Sequence, residues 1–295
     1  MIVQYHIHEV SEYINWVYFF HAWGFQPRYA GIANIHGCDA CRAMWLVRFP
    51  EEEERSKAAE AMQLFKEANR MLRLLDEKGY RTHAIFRLTE ANSEENDLWL
   101  DGKRFPLLRQ QNTLPGEPYL CLSDFVRPLS GGIKDLVGIF VTTIDKETEN
   151  LYPDDAYRRM LVQTLTDRLA EATAEKLHEQ VRKQIWGYAP NEQLSIHQLH
   201  NEEFQGIRPA VGYPSLPDLS VNFLLDEWLD MKQIGIHLTE NGMMQPHASV
   251  SGLMLAHPAS RYFSVGKISE EQLNDYAKRR GLPIDEMRKF LAANL

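Results

Sequence analysis

The alternation of apolar and polar positions divides the chain into helical and extended segments. Residues 50–78 carry apolar side chains at steps of three and four, begin with a run of glutamates and end at Gly79, which predicts an amphipathic helix. Residues 82–88 and 97–105 flank a polar stretch and predict two strands joined by a turn. The β-branched apolar run at 136–144 predicts a buried strand.

The second half of the chain continues this mixture. Pro153 opens the longest helical pattern, which runs to about residue 184. The other predicted elements are helices at 221–231, 269–281 and 283–291, and strands at 249–255 and 262–268. Strands and helices lie in mixed blocks without regular βαβ alternation, so the predicted fold class is α+β. We expect one domain over 1–295, with 1–48 as a candidate N-terminal subregion.

Composition and charge narrow the classes of partner. The chain of 295 residues has 41 acidic and 32 basic residues, a net charge of -9, which disfavours a nucleic-acid-binding face. No apolar run approaches the roughly 20 residues that span a bilayer, and the N-terminus has no basic region followed by an apolar stretch. Three cysteines do not suggest a secreted disulfide framework. We therefore expect a cytoplasmic protein with neither nucleic-acid nor membrane partners.

Residues 206–218, Gly-Ile-Arg-Pro-Ala-Val-Gly-Tyr-Pro-Ser-Leu-Pro-Asp, are a candidate binding loop. Three prolines fix their own φ and push the preceding residues toward extended conformations, so the segment is predicted to be neither helix nor central strand. Gly212 lets a ligand approach the backbone closely, and Arg208, an unpaired cation in the sequence, offers two parallel hydrogen bonds to a carboxylate or phosphate. A rigid surface connection explains the same composition equally well.

A short cysteine motif is a second candidate. His36, Cys38 and Cys41 have a spacing that suits zinc binding or disulfide exchange, but no second Cys-x-x-Cys or His-x-x-x-His completes the site, which favours a structural role. Cys121 lies in an apolar stretch and is predicted to be buried. We find no Gly-x-Gly-x-x-Gly after a strand, P-loop, Gly-x-Ser-x-Gly or His-Glu-x-x-His, so common nucleotide-phosphate and hydrolase chemistries lose support.

Two further clusters have both a structural and a functional interpretation. Asp167, Glu171, Glu175 and His178 follow one another at helical spacing, which is typical of a solvated face but also suits a cationic partner. Asp124 is predicted to cap a loop. The N-terminal aromatic residues predict core packing, with the wall of a site for a flat ligand as the alternative: Trp16, Tyr18, Phe19, Phe20, Trp23 and Phe25.

Several short segments form a combination that is far more specific than any one of them. They are Tyr13–Trp16, Phe19-Phe20, Leu64–Asn69, Cys121–Val126, Asp167–Glu171, Leu177–Arg182, Trp186–Glu192, Gly206–Ala210, Gly212–Pro214, Ala248–Gly252 and His257-Pro258. In this order they resemble the C-terminal activation domain of cobalamin-dependent methionine synthase, over almost the whole chain. The resemblance implies a C-shaped α+β domain with a twisted antiparallel sheet flanked by helices.

The resemblance also implies a function. It implies an S-adenosylmethionine-binding reactivation module that docks on a cobalamin-binding module or subunit and supports reductive remethylation of cob(II)alamin in methionine synthesis, with a flavoprotein as electron donor. The chain has no homocysteine or folate module, and the Asp-x-His-x-x-Gly motif of cobalamin modules is absent. We therefore expect a free-standing activation subunit or an excised domain, a component of a methyltransferase without turnover of its own.

By position, the resemblance assigns ligand contacts to Arg208, Pro209, Ala210, Gly212 and Tyr213. Arg208 would hold the ligand carboxylate, and Tyr213 would face the corrinoid. The other residues that it places at the ligand or toward the corrinoid are Glu202, Tyr262, Phe263, Asn15, Asp167 and Glu171.

Asn15 departs from the family pattern, which usually has an aspartate there to help hold the ligand's amino group. An amide accepts a hydrogen bond but supplies no charge, and a charge-assisted bond contributes about 1.5–3 kcal/mol against about 1 kcal/mol for a neutral one. We therefore expect weaker affinity or a different ligand. The alternative function is a corrinoid-protein interaction module that has lost tight S-adenosylmethionine binding.

Overall fold

A curled antiparallel sheet lies at the centre of the fold, and the computed structural model describes all residues from 1 to 295. The strands are β1 (Ile2–His6), β2 (Arg81–Glu94), β3 (Asp97–Leu100), β4 (Lys103–Pro106), β5 (Asp135–Ile144), β6 (His237–Leu238), β7 (Met244–Gln245) and β8 (Ser249–Met254). Six of them form one sheet in the order β4-β3-β2-β5-β8, with β1 also paired to β2, while β6 and β7 form a separate ribbon. The predicted α+β class is confirmed.

Helices flank this sheet. The α-helices are α1 (Ile7–Ser11), α2 (Trp16–Ala22), α3 (Asp39–Val47), α4 (Glu52–Glu77), α5 (Ala156–Gln180), α6 (Ile196–His200), α7 (Val221–Leu229), α8 (Glu270–Arg280) and α9 (Ile284–Phe290). A π-helical turn, Val181–Ile185, follows α5. The 3-10 turns are Pro27–Asn34, Leu122–Phe125, Leu129–Gly131, Lys146–Asn150, Met231–Ile234 and Ala292–Asn294. None of the helices combines the length and the apolar character that crossing a membrane requires.

The predicted helices and the predicted strands at 136–144 and 249–255 are confirmed. α4 and α5 occupy the two long helical patterns, α7, α8 and α9 the three shorter ones, and β5 and β8 the apolar strand patterns. Two predicted local features are also present. Cys121 is buried, and Asp124 accepts a hydrogen bond of 2.8 Å from the Cys121 backbone N–H, as a capping carboxylate does.

A turn joins the two predicted strands, but it is confined to Glu95 and Asn96 and does not take up the whole polar stretch from 90 to 96. β2 continues through this polar stretch because β3 pairs with its second half and because Ala91 and Ser93 are buried there. The chain reverses at Glu95, where φ is 52°, and it reverses again at Asp101 and Gly102, so the predicted strand at 97–105 is two short strands.

The predicted strand at 262–268 does not form. Its apolar residues are instead held as irregular chain, and the free edge of β8 is occupied by residues 207–211. An apolar run forms a strand only where a sheet edge is available to it, and the apolar residues at 262–268 have none.

The sheet separates two hydrophobic clusters. The larger one lies between one face and the helices α1, α2, α4 and α5, and the other lies against α7. β5 supplies both, because alternate side chains of a strand point to opposite faces: Phe140 packs in the larger cluster, and Ile139 and Val141 pack in the other. β5 is therefore buried on both sides.

α5 is buried around most of its circumference rather than along a single stripe. It contacts β2, β5 and β8 on one side and α1, α2 and α4 on the other. Even its polar residues Thr173, Glu175 and His178 are buried, while Met160 near its start is 42% exposed. α5 therefore forms the central wall on which the neighbouring loops are built.

The proline-rich loop, residues 206–218, extends the sheet beyond β8. Leu255 exchanges hydrogen bonds of 2.9 Å with Ile207, and the Val211 N–H donates to the Ser251 carbonyl at 2.9 Å. The loop is thus neither helix nor central strand, as predicted, since an edge position tolerates prolines that cannot donate. Gly252 permits this approach, because a Cβ there would lie 2.2 Å from the Pro209 carbonyl oxygen.

A buried polar cluster fixes the far end of this loop. The Asp218 carboxylate accepts hydrogen bonds from the Ser220 backbone and hydroxyl and from the Tyr276 hydroxyl, each at 2.8–2.9 Å. Arg280 lies 3.4 Å from the same carboxylate. Because Tyr276 and Arg280 belong to α8, the C-terminal helices hold the loop in place from one side while β8 holds it from the other.

We predict that Gly252→Ala destabilises the protein by about 1–3 kcal/mol, because the added methyl group would collide with backbone atoms that have no room to move. Gly131→Ala is the matched control, since a Cβ there meets no atom within 4 Å. It should change the free energy of unfolding by no more than about 0.5 kcal/mol. Urea denaturation measures both, and equal stability of the two variants would contradict the prediction.

Candidate functional site

One cleft of about 590 Å³ brings together most of the residues that the sequence suggested. Its volume falls within the range of roughly 300–1,000 Å³ that is usual for small-molecule sites. It lies between α5, the start of α2, the segment after α6 and the proline-rich loop. The suggested residues that line it are Asn15, Glu171, Glu202, Arg208, Pro209, Ala210, Tyr213, Tyr262 and Phe263. Asp167 and Gly212 do not line it.

Arg208 is largely buried in the wall of this cleft and is not the unpaired cation that the sequence suggested. Its guanidinium donates to Glu175 Oε2 at 2.9 Å, and its backbone N–H donates to the Tyr262 hydroxyl at 2.9 Å. Burial opposes the charge of Arg208, but the acidic groups around it, first of all the carboxylate of Glu175, together outweigh this effect, so the pKa of the guanidinium is raised. The cleft thus contains a permanent positive charge that is already positioned.

One carboxylate oxygen of Glu175 has no hydrogen-bond partner. This atom, Oε1, is buried, whereas Oε2 is held by Arg208. A buried carboxylate oxygen without a donor is costly, and such an atom in the wall of a cleft is suited to a ligand that brings a donor. The arrangement can therefore receive a carboxylate at Arg208 and an ammonium at Glu175.

His178 supports Arg208 from behind. It is fully buried, and its Nδ1 atom lies 3.2 Å from the guanidinium of Arg208, which can only donate, so Nδ1 accepts. The proton is then on Nε2, which donates to the Tyr188 hydroxyl at 3.2 Å. Burial first, and then the positive charges of Arg208 and Arg182, hold the pKa of His178 well below its ordinary value. The imidazole is therefore neutral and acts as a fixed acceptor.

A second buried arginine fixes the segments around the cleft. Arg182, in the π-helical turn after α5, is fully buried and makes two hydrogen bonds of 2.8 and 2.7 Å with Glu192. Its guanidinium also lies 4.2 Å from the ring centre of Phe204, which lines the cleft. The chain leaves the helix at Gly187, where φ is 75°.

Glu202 adds a carboxylate at the rim. Its φ of 58° is unusual for a residue other than glycine, and such conformations cluster at functional sites. The pKa of Glu202 is raised. Partial burial is the main cause and the like charge of Glu175 adds to it, while the positive charge of Arg208 acts in the opposite direction. Two carboxylates of the cleft, those of Glu175 and Glu202, are therefore close enough to Arg208 to interact with its charge.

Asn15 is at the opposite rim and already has a structural task. It is the N-cap of α2, and its Oδ1 atom accepts a hydrogen bond of 3.1 Å from the Val17 backbone N–H. Its side-chain N–H groups have no partner within the chain. The neighbouring Tyr13 carbonyl accepts a hydrogen bond of 3.0 Å from His200 Nε2, which holds the end of α6 against this rim.

Aromatic and acidic groups surround the mouth of the cleft. Tyr213 is 51% exposed and donates a hydrogen bond to Glu171, and burial of its hydroxyl, followed by the charge of Glu171, raises its pKa. Tyr18 is 60% exposed. Asp167 lies outside the mouth, where its Oδ1 atom is 3.4 Å from His247 Nδ1.

The aromatic cluster near the N-terminus divides between two roles. Phe19 and Phe20 are fully buried, so the prediction of core packing is confirmed for them, whereas Tyr18 lines the cleft. The period of α2 explains the division, since Tyr18 precedes these two residues and lies on another face of the helix.

The sequence placed neither Glu175 nor His178 at the ligand, because a row of polar residues at helical spacing is more often a solvated face than a site for a cationic partner. The signal was present. Both residues follow Glu171 at helical spacing on one helix, and a cation was predicted in a nearby loop. Among the other polar residues of the cleft, Tyr13, Arg168 and Ser215 lie in segments that the sequence singled out, whereas His200 and Ser264 have no distinctive sequence signal.

Comparison with known proteins gives two findings that agree with this geometry. The family model of the activation domain of vitamin B12-dependent methionine synthase matches residues 6–281. The chain is also similar to the crystal structure of the MetH reactivation domain bound to AdoHcy, with 37% sequence identity and a TM-score of 0.88. That alignment covers 100% of this chain and 90% of the other.

We predict a pH dependence of stability from His178. Its pKa in the folded protein lies below the ordinary value of 6.5, so below pH 6.5 the unfolded chain binds a proton that the folded protein does not. Stability is therefore lost as the pH falls below 6.5, by up to about 1.4 kcal/mol per pH unit from this residue.

The variant His178→Gln keeps an acceptor for Arg208 but cannot titrate. Urea denaturation between pH 7 and pH 5 should show a shallower loss of stability for His178→Gln than for the parent protein. His237→Gln is the control, because His237 is exposed and makes no side-chain hydrogen bond, and it should follow the parent. Parallel curves for the parent and His178→Gln would contradict the assignment.

Proposed function

This chain belongs to the family of vitamin B12-dependent methionine synthase activation domains, and we propose that it binds S-adenosylmethionine in the cleft around Arg208. The observation that carries the proposal is the buried pair of Arg208 and Glu175 with one unpartnered carboxylate oxygen. An amino acid brings a carboxylate and an ammonium on one carbon, so it satisfies both members of this pair. The similar MetH reactivation domain, which has AdoHcy bound, supports a ligand of this type.

The residues of the cleft fit the parts of this ligand. Arg208 would hold the carboxylate through two parallel hydrogen bonds, and Glu175, assisted by Glu202, would accept the ammonium. Tyr262 and Phe263 would supply apolar walls for the adenosyl group. When bound, S-adenosylmethionine supplies an electrophilic methyl group on a sulfonium.

We further propose that the whole chain, residues 1–295, acts as one activation domain that docks on a cobalamin-binding module or subunit. The exposed Tyr213 would face the corrinoid held by that partner, and Asp167 and Glu171 would contribute negative charge beside it. In this role the chain would support reductive remethylation of cob(II)alamin, with electrons from a flavoprotein. This is a methyltransferase component working in the cytoplasm, with no turnover alone.

One observation favours a second candidate. The aspartate expected at position 15 is Asn15, whose oxygen already caps α2, and Arg208 is already paired within the chain. Both facts reduce the free energy that would be gained when the amino-acid end of S-adenosylmethionine binds. The alternative is therefore an interaction module that keeps the docking surface but no longer binds S-adenosylmethionine tightly.

We expect isothermal titration calorimetry to show that the purified chain binds S-adenosylmethionine with one site. Arg208→Lys keeps the positive charge opposite Glu175, so the fold should survive, but it removes the planar fork that holds a carboxylate at two points. Its affinity should be at least about 10-fold weaker, which corresponds to about 1.4 kcal/mol. Arg73→Lys is the control, because Arg73 is exposed on α4 and forms no ion pair.

The calorimetric result decides between the two candidates. Absence of binding heat at millimolar S-adenosylmethionine, with circular dichroism showing a folded protein, would overturn the first candidate and leave the interaction module. Equal affinity of Arg208→Lys and the parent would contradict the placement of the carboxylate.

We predict that Asn15→Asp strengthens S-adenosylmethionine binding by about 5- to 10-fold, because a carboxylate adds a charge-assisted bond to the ammonium. The fold should be unaffected, since aspartate is an equally good N-cap and its charge suits the start of α2. Asn112→Asp makes the same change of charge at an exposed position away from the cleft and should leave the affinity unchanged. No gain from Asn15→Asp would mean that the ammonium binds elsewhere.

A further inference from the structure

A cluster of soft donor atoms lies in the segment that leads into α3, and the proposed function does not use it. The imidazole of His36 and the thiols of Cys38 and Cys41 offer ligand atoms that all lie within 4.8 Å of one another. His36 is exposed, and the two cysteines are half-buried and form no disulfide. None of the three residues lines the cleft around Arg208.

The start of α3 explains why the two thiols converge. Cys38 is the N-cap residue and Cys41 lies in the first turn, so the two-residue spacing places both sulfur atoms at the same end of the helix. The Cys41 backbone N–H donates to Cys38 Sγ at 3.3 Å. This hydrogen bond and the positive end of the helix dipole stabilise negative charge on sulfur.

We propose that His36, Cys38 and Cys41 form a binding site for a zinc ion. Zinc takes thiolate ligands at about 2.3 Å and imidazole ligands at about 2.0 Å in tetrahedral geometry, which places neighbouring donors about 3.6–3.8 Å apart. The three donors therefore need to approach by only about 1 Å relative to their upper separation of 4.8 Å. Two thiolates and one imidazole suit zinc better than magnesium or calcium, which prefer oxygen.

Three ligands from the chain leave the fourth tetrahedral position open. Structural zinc sites have four protein ligands, whereas a site with three keeps a place for water or another donor. His36 is exposed, so this fourth position is accessible from solvent. The site can therefore exchange its fourth ligand without unfolding of the chain.

Zinc at this position would join the loop before α3 to the helix itself. α3 carries Trp45, which is buried in the larger hydrophobic cluster and packs edge-on against Phe49. Fixing the start of the helix would therefore stabilise its contact with α4. Metal that binds only the folded chain stabilises it by mass action, so the melting temperature should rise with zinc concentration.

A second group of possible metal ligands must be distinguished from the proposed site. His6, His8 and Asp76 also converge, but this group has no thiol, and His8 Nδ1 is already 2.9 Å from Asp76. A measurement of total metal would not separate the two groups. A signal that arises only from thiolate ligands does separate them.

The test is a titration of the reduced, untagged chain with cobalt(II), a spectroscopic substitute for zinc. We expect one equivalent to produce thiolate-to-cobalt charge-transfer absorption in the near ultraviolet, together with the visible bands of a tetrahedral site. Zinc should abolish these bands, because it binds such sites more tightly than cobalt. His36→Ala should weaken cobalt binding by at least about 10-fold while some charge transfer remains.

The double variant Cys38→Ser and Cys41→Ser removes both sulfur ligands, and serine preserves the cap of α3, so the fold should be retained. It should show no charge-transfer band. Any rise of its melting temperature with zinc should be no larger than the rise caused by zinc at His6, His8 and Asp76. His237→Ala, an exposed histidine outside both groups, should behave as the parent. Absence of the band in the reduced, folded parent, or its persistence in the double cysteine variant, would overturn the proposal.

Discussion

The burial of one cation against one carboxylate constrains the geometry of the cleft. Arg208 comes from the proline-rich loop and Glu175 from α5, and both are largely buried. Removing one partner from a buried pair typically costs about 3–5 kcal/mol, because the remaining charge is left without compensation. The loop therefore cannot leave α5 without exposing or stranding a charge. Together with the hydrogen bonds to β8, this pair fixes the walls of the cleft before a ligand arrives.

α5 presents a polar face that its sequence does not identify as buried. Glu171, Glu175, His178 and Arg182 follow at steps of four, three and four, so they lie along one face of the helix and its π-helical extension. From the mouth inward, Glu171 meets Tyr213, Glu175 meets Arg208, and His178 and Arg182 are fully buried. Each buried group has a charged or hydrogen-bonding partner from a loop, which is the condition under which such a face can be covered.

The sequence predicted the long elements and part of the site, and the misses have a common physical cause. Periodicity states which residues share a face, as it did for α4, α5 and β5, but it does not state what covers that face. The row that contains Glu175 therefore stayed open between a solvated face and a site for a cationic partner. β2 was cut short and the run at 262–268 was assigned to a strand, because strand formation depends on which sheet edge is free. The short helices α1, α2 and α3 escaped assignment, whereas the equally short α9 was predicted because Pro283 and the acidic residues after it mark its start.

The charge of the cleft determines how much the change at position 15 matters. The charged residues that line it are Arg168, Arg208, Glu171, Glu175 and Glu202, which leave one net negative charge. S-adenosylmethionine carries one net positive charge, because its sulfonium adds to a zwitterionic amino acid, whereas AdoHcy has no such charge. In the proposed function, the cleft would therefore still favour the sulfonium form with Asn15 in place. An aspartate would double the net negative charge. With Asn15, the proposed site would therefore discriminate less between the methyl donor and its demethylated product, and it would hold the ammonium less tightly.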